Sequence, residues 1–309
     1  MFNGVGGVVR QQTIAETVSC TGTGLHSGAP VQLTLRPAPV DSGVVFARTD
    51  RAQPVEIRAN PGSLQATRRA TTLACGDATV GTVEHLFAAL FGLGIDNLRA
   101  EVNGPELPIM DGSAAPFVYL LRSAGLRPQP GQRAELRIRR PIEVRDGKRS
   151  IRVEPARSFR VTYCVEFDHP AIGRQEFHID ASDPARFERE VSAARTFGFL
   201  REVRALRDAG LARGGSLDNT VVLDERGVLN RGGLRWPDEF VRHKVLDLFG
   251  DLALLGMPLR GHVRVERGGH SLHQQLVAAI VASPEAWKIE QPGARSRRGS
   301  QLAAASASA

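Results

Sequence analysis

Apolar and polar residues alternate with a period of two over residues 31–35, 97–102, 135–139, 160–167 and 262–266. Such alternation predicts strands with one face covered and the other wet. Helical spacing is rarer. It predicts helices over residues 82–91, stopped by Gly92 and Gly94, and over 116–123, entered through Asp111, Gly112 and Ser113. A longer helix is predicted over 237–255, opening on Pro237, Asp238 and Glu239 and closing at Gly256, and a last one over 272–282. Strands outnumber helices and come in runs. That predicts an α+β fold of sheet and helix layers and argues against a doubly wound parallel sheet.

Residues 127–133 concentrate Pro and Gly between a predicted helix and a predicted strand, so they are expected to form a linker. The chain then divides into a first α+β domain over 1–126 and a second over 134–290, with no repeat between them evident in the sequence. Residues 291–309 are mostly Ser, Ala, Gly and Arg and are expected to be a disordered tail.

Composition narrows the picture. With 309 residues, 42% hydrophobic and 24% charged, the chain can bury a core and wholesale disorder is excluded. No apolar run approaches the ~20 residues of a transmembrane helix, so no membrane span is expected. No basic-then-apolar leader is seen. Cys20, Cys75 and Cys164 are odd in number and scattered, which argues for a reducing compartment, and the expected location is the cytoplasm. Forty Lys and Arg against 33 Asp and Glu leave a net charge of +7. Only Lys148, Lys244 and Lys288 are lysines, the arginines are dispersed, and no nucleic-acid reading module accompanies them. No nucleic-acid partner is expected.

Three places could carry chemistry. On the helix predicted over 237–255, His243, Asp247 and Asp251 fall within about 80° of one another, beside a stripe of Val241, Val245, Leu248 and Leu252. His and Asp four apart can reach one cation, or can simply share a hydrogen bond on a solvated flank. Glu84 and His85 open a second helix. A carboxylate beside an imidazole suits metal-assisted hydrolysis, and it equally suits an exposed polar pair at a helix start. His270 follows Gly268 and Gly269 in a strand-to-helix turn, where a backbone can approach a ligand or a loop histidine can merely be surface. Cys164 reads as core, Ser192 and Ser216 have no histidine partner nearby, and His178 and His273 read as incidental. No P-loop or Rossmann fingerprint is present.

These residues lie within longer motifs. Thr21-Gly-Thr-Gly-Leu-His26-Ser-Gly, Thr82-Val-Glu84-His85-Leu, Gly94-Ile-Asp-Asn97 and Pro108-Ile-Met-Asp111-Gly-Ser-Ala-Ala-Pro-Phe117 come first. Ala194-Arg-Thr196-Phe197-Gly-Phe199 and Asp238-Glu-Phe-Val-Arg-His243-Lys244-Val-Leu-Asp247 follow. Together, over about residues 12–287, they resemble the zinc-dependent UDP-3-O-acyl-N-acetylglucosamine deacetylases of lipid A biosynthesis in Gram-negative bacteria.

The resemblance implies two α+β domains of similar architecture, each with a small insert, and an active site in the cleft between them. It implies His85, His243 and Asp247 as ligands of one Zn²⁺, a set that would also accept Fe²⁺. Glu84 would be the general base and His270 a protonated acid held against Asp251, while Thr196 would bond the oxyanion. The acylated UDP-sugar would be met by Lys244, by Phe197 on the sugar ring, by Phe167 near the uracil and by His26 at the nucleotide end. Arg267 stands where the family commonly has Lys, which keeps the charge and changes the geometry. Residues 201–215 would wall an apolar passage for the acyl chain, with Leu200, Val203, Leu206 and Leu211 as wall residues. Nothing in the resemblance demands more than a monomer.

Overall fold

A computed structural model describes residues 9–65 and 70–291. From residue 292 onward the expected tail lies outside the described residues. Two five-stranded sheets dominate. The first is ordered Val18–Thr23, Pro30–Pro37, Leu98–Val102, Val44–Arg48, Val55–Arg58, and the second Ile142–Asp146, Arg149–Glu154, His262–Glu266, Arg160–Glu166, Arg174–Asp180. In each, the central strand runs antiparallel to its neighbour on one side and parallel to its neighbour on the other. The halves therefore share one topology, although no residue repeat announces it. Register depends on which face is buried, not on residue identity, so a topology can recur without a visible repeat.

Six α-helices occur among the described residues: α1 (Glu84–Leu93), α2 (Ala115–Ser123), α3 (Pro184–Glu190), α4 (Leu200–Asp208), α5 (Glu239–Leu252) and α6 (His270–Ala282). In each half one helix precedes the central strand and one follows it, α1 and α2 in the first and α5 and α6 in the second. Each half also carries an insert ahead of the first of those helices. In the first half it is the small sheet of Leu64–Gln65, Thr72–Cys75 and Ala78–Val80. In the second it holds α3, α4 and the parallel pair Phe197–Phe199 and Val221–Leu223. The α+β expectation holds.

α1 and α5 lie between the sheets. Phe87 of α1 meets Phe46 of the first sheet edge-to-face, while α5 and α6 pack on the second sheet. At the centre α1 crosses α5, and Phe91, Phe159, Phe187 and Phe249 join their rings around that crossing. Most buried apolar residues form one cluster running through both halves.

Several boundaries differ from expectation for identifiable reasons. The expected linker is a strand: Leu126–Gln132 pairs antiparallel with Arg10–Ile14. Pro128 and Pro130 are two apart, so both missing N–H groups face the same, unpaired edge. Gly92 does not stop α1. It lies inside the helix, where a Cβ would come within 2.2 Å of the Phe187 ring, and Gly94 at φ 73° is the cap. The long helix begins at Glu239 and gives way to a 3-10 turn, Ala253–Leu255, before Gly256. The last helix begins at His270 itself.

Candidate metal centre

The crossing of α1 and α5 sets the site. Gly250 of α5 lies against the backbone of Glu84, so closely that a Cβ there would be 2.2 Å from the Glu84 carbonyl oxygen. That approach puts the first two residues of α1 beside one face of α5. The His85 and His243 rings meet edge-to-face at 5.2 Å. Asp247 Oδ1 is 3.3 Å from His243 Nε2 and 4.0 Å from His85 Nε2. All three side chains are buried.

The donor set fits a divalent cation. Two atoms each ~2.0–2.1 Å from a tetrahedral ion lie about 3.3 Å apart, the separation of His243 Nε2 from Asp247 Oδ1. Asp247 Oδ1 is buried and has no hydrogen-bond partner among the described residues, which is costly for a carboxylate oxygen unless something positive sits there. His243 Nδ1 donates to the Ala194 carbonyl at 3.0 Å, which leaves Nε2 with its lone pair directed at the site. Burial and the neighbouring His243 push His85 down to about 3, so it is neutral and able to ligate. Burial would raise Asp247, but His243, Lys244 and His270 hold it well below the carboxylate range. Lys244 Nζ donates to Asp247 Oδ2 at 2.8 Å.

Glu84 and His270 flank this centre. His270 Nε2 is 3.8 Å from Glu84 Oε1 and 3.7 Å from Asp247 Oδ2. Burial raises Glu84 to about 7, against the opposing pull of His270. Burial alone would lower His270, yet Asp251 and Asp247 overcome it and raise the imidazole to about 10. A buried base and a buried acid thus stand side by side with pKa values spread apart. Asp251 does not line the cavity. Its Oδ2 accepts from His270 Nδ1 and from His273 Nδ1, each at 2.8 Å, and these are hydrogen bonds, too short for ligand pairs around an ion.

A cavity of about 380 Å³ opens over these groups, and Thr196, Phe197, Phe167, His26 and Lys244 all line it. Thr196 is held there through the first half: its N–H donates to the Gly112 carbonyl at 2.7 Å. Gly112 has φ 85°, and a Cβ on it would be 2.0 Å from the Asn219 carbonyl oxygen. Only glycine is accommodated at that bridge. On the other side of Thr196, Arg195 donates to buried Glu239, the residue that the sequence places in an ordinary first turn. Val203 and Leu206 of α4 line the cavity too, whereas Leu211 does not and Leu200 is about half exposed. Arg267 also falls outside the lining. Its guanidinium is bonded to Glu166, and its backbone takes a left-handed φ of 54°.

Residues that the sequence left unmarked complete the site. Glu106 is buried and accepts from the backbone N–H groups of His26 and Ser27 and from the Thr82 hydroxyl, which holds the His26 loop over the cavity. His273 is not incidental: it is fully buried between Asp251 and the Tyr163 hydroxyl, the latter 2.9 Å away. Its spacing of three from His270 on one helix was the available signal. Thr71 donates to both Glu84 and Asp251, and nothing in its local pattern marks it.

Comparison with known proteins bears on the same residues. The family described as UDP-3-O-acyl N-acetylglycosamine deacetylase matches residues 11–282. The chain belongs to this family. A UDP-3-O-acyl-N-acetylglucosamine deacetylase of Anaeromyxobacter sp. (strain Fw109-5) is 52% identical over 279 residues, 90% of this chain and 91% of the relative. One from Myxococcus xanthus (strain DK1622) is 52% identical over 90% of this chain and 88% of its own length. One from Thioalkalivibrio sulfidiphilus (strain HL-EbGR7) is 49% identical, covering 91% and 93%. As a member of the family the protein is a metal-dependent deacetylase. Among the described residues no helix is long and apolar enough to cross a membrane.

Proposed function

We propose that the protein hydrolyses the N-acetyl group of UDP-3-O-acyl-N-acetylglucosamine, releasing acetate and a free amine, the committed step of lipid A biosynthesis. The observation that carries this is the convergence of His85, His243 and Asp247 from two helices, with Asp247 Oδ1 left bare, beside a buried Glu84 and a buried His270. Those three residues would hold Zn²⁺, or Fe²⁺, which the same nitrogen and oxygen donors accept. A divalent ion there supplies Lewis acidity toward the amide carbonyl and toward water.

The chain's own groups do the rest. Glu84 Oε1 takes one proton from the attacking water as the new C–O bond forms. Thr196, at the cavity wall, donates to the oxygen on which negative charge gathers, an interaction strongest in the transition state. His270 Nε2 gives its proton to the amide nitrogen as the C–N bond breaks. The amine leaves with acetic acid, which keeps the second proton of the water and releases it to solvent on ionising to acetate, and the proton held by Glu84 restores His270. Asp251 favours the protonated form of His270 before the transfer and keeps the ring aimed throughout.

Phe197 would pack on the sugar, Phe167 would face the uracil and His26 the nucleotide end, since all three line the same cavity. Val203, Leu206 and Val222 would wall the acyl chain. Arg267, bonded to Glu166, would meet phosphate by exchanging that ion pair. The reading includes a cytoplasmic monomer of two α+β domains: one chain supplies every ligand and both proton-transfer groups, and Cys20, Cys75 and Cys164 are free thiols.

The test joins metal analysis of protein purified without added metal to an acetate-release assay on the acylated nucleotide sugar. About one zinc or iron per chain and acetate release abolished by a chelator are expected. Release undiminished in metal-free protein would sink the metal reading, and equal rates without the 3-O-acyl chain would remove the passage.

A further inference from the structure

Thr71 lies just ahead of the strand Thr72–Cys75 in the first-half insert, is fully buried, and does not line the cavity. All three of its polar groups are spent on the catalytic scaffold. Its carbonyl accepts from the N–H of Val83, the residue that opens α1, at 3.2 Å. Its N–H donates to Glu84 Oε2 at 2.9 Å. Its hydroxyl donates to Asp251 Oδ1, the oxygen that the two imidazoles do not use. The hydroxyl oxygen is also 3.4 Å from His270 Nδ1.

We infer that Thr71 is a positioning residue of the deacetylation: its hydroxyl locks the Asp251 carboxylate that aims His270, while its backbone N–H holds Glu84 at a fixed distance from that acid. Asp251 Oδ2 serves His270 and His273 at once, and this works only with the carboxylate plane held in one orientation. The plane has one further handle, Oδ1, and among the described residues the Thr71 hydroxyl grips it. Without that hydroxyl Oδ1 is a buried anion oxygen with no donor, so the carboxylate turns to find one and His270 Nε2 swings away from the scissile nitrogen. Thr71 thus links the insert and the α1 that follows it to α5, 180 positions away.

The inference rests on the proposed roles of Glu84 and His270, and its test separates the two. Thr71→Val keeps the shape and the backbone N–H and removes only the hydroxyl. Its kcat is expected to fall about 10- to 100-fold, the size of a lost hydrogen bond to a buried charge, with KM and bound metal unchanged because Thr71 touches neither the cavity nor the ligands. Thr71→Ser should restore most of the rate. In a His270→Ala background, Thr71→Val should bring no further loss, since a residue acting through His270 has nothing left to act on. A merely structural role would instead lower both backgrounds by the same factor, and that additivity would overturn the inference, as would full kcat in Thr71→Val alongside an impaired His270→Ala. Full activity of His270→Ala would instead overturn the assignment of the acid on which the inference stands.

Discussion

Gly250→Ala tests whether the metal centre depends on how closely two helices cross. In most helix interiors the substitution stabilises by about 1 kcal/mol, because alanine loses less backbone entropy than glycine. Here the new Cβ would sit 2.2 Å from the Glu84 carbonyl oxygen, where ordinary contact begins at 3.4 Å, so α1 and α5 must part by the difference, 1.2 Å. His85 rides on one helix and His243 with Asp247 on the other. Ligand positions need to hold to about 0.2 Å, so a displacement of this size spoils coordination before it spoils the fold. Overpacking costs about 1–3 kcal/mol, and the gain in helix propensity offsets part of it. The expected result is a modest loss of thermal stability with a kcat/KM about 100-fold lower and weaker metal retention in a chelator competition. Gly232→Ala is the control, because a Cβ there meets nothing within 4 Å. If Gly250→Ala held metal like the parent and turned over at the parent rate, the crossing would not be what brings the ligands together.

Further outcomes follow from the same geometry. Glu84→Gln should retain metal and substrate but lose about 10²–10⁴ in kcat, measured by acetate release with metal content in parallel; an active variant would place the base elsewhere. The rate profile should be a bell: kcat/KM rises as Glu84 ionises near pH 7 and falls as His270 loses its proton near pH 10, with any bound cation drawing both limbs to lower pH. A rate still climbing beyond the upper limb would contradict a protonated His270. Arg195→Ala leaves Glu239 buried without its cation and should cost about 3 kcal/mol in denaturant unfolding, with turnover falling further because the adjacent Ala194 carbonyl and Thr196 lose their anchor. Unchanged unfolding midpoints would show that the pair does not hold that loop.

Much of the chemistry was legible along the chain. His243 and Asp247 stand one helical turn apart, so local periodicity alone put them on one side of a helix, and the adjacent Glu84 and His85 were placed at the start of another. The alternating strands, and hence the α+β class, were set in the same way, because a period of two is a local property of half-buried backbone. What lay beyond the sequence were relations between segments. Gly92 and Gly250 look like helix defects until Phe187 and Glu84 are seen filling the space where a side chain would go. Pro128 and Pro130 look like a linker until the paired strand at Arg10–Ile14 supplies the other edge. Thr71 and Glu106 act through hydrogen bonds to residues 13 to 180 positions away, and no local pattern encodes a partner at that distance. Propensity and spacing decide which face of an element is apolar and which side chains share it. Only packing decides which faces meet, and the centre exists where two of them do.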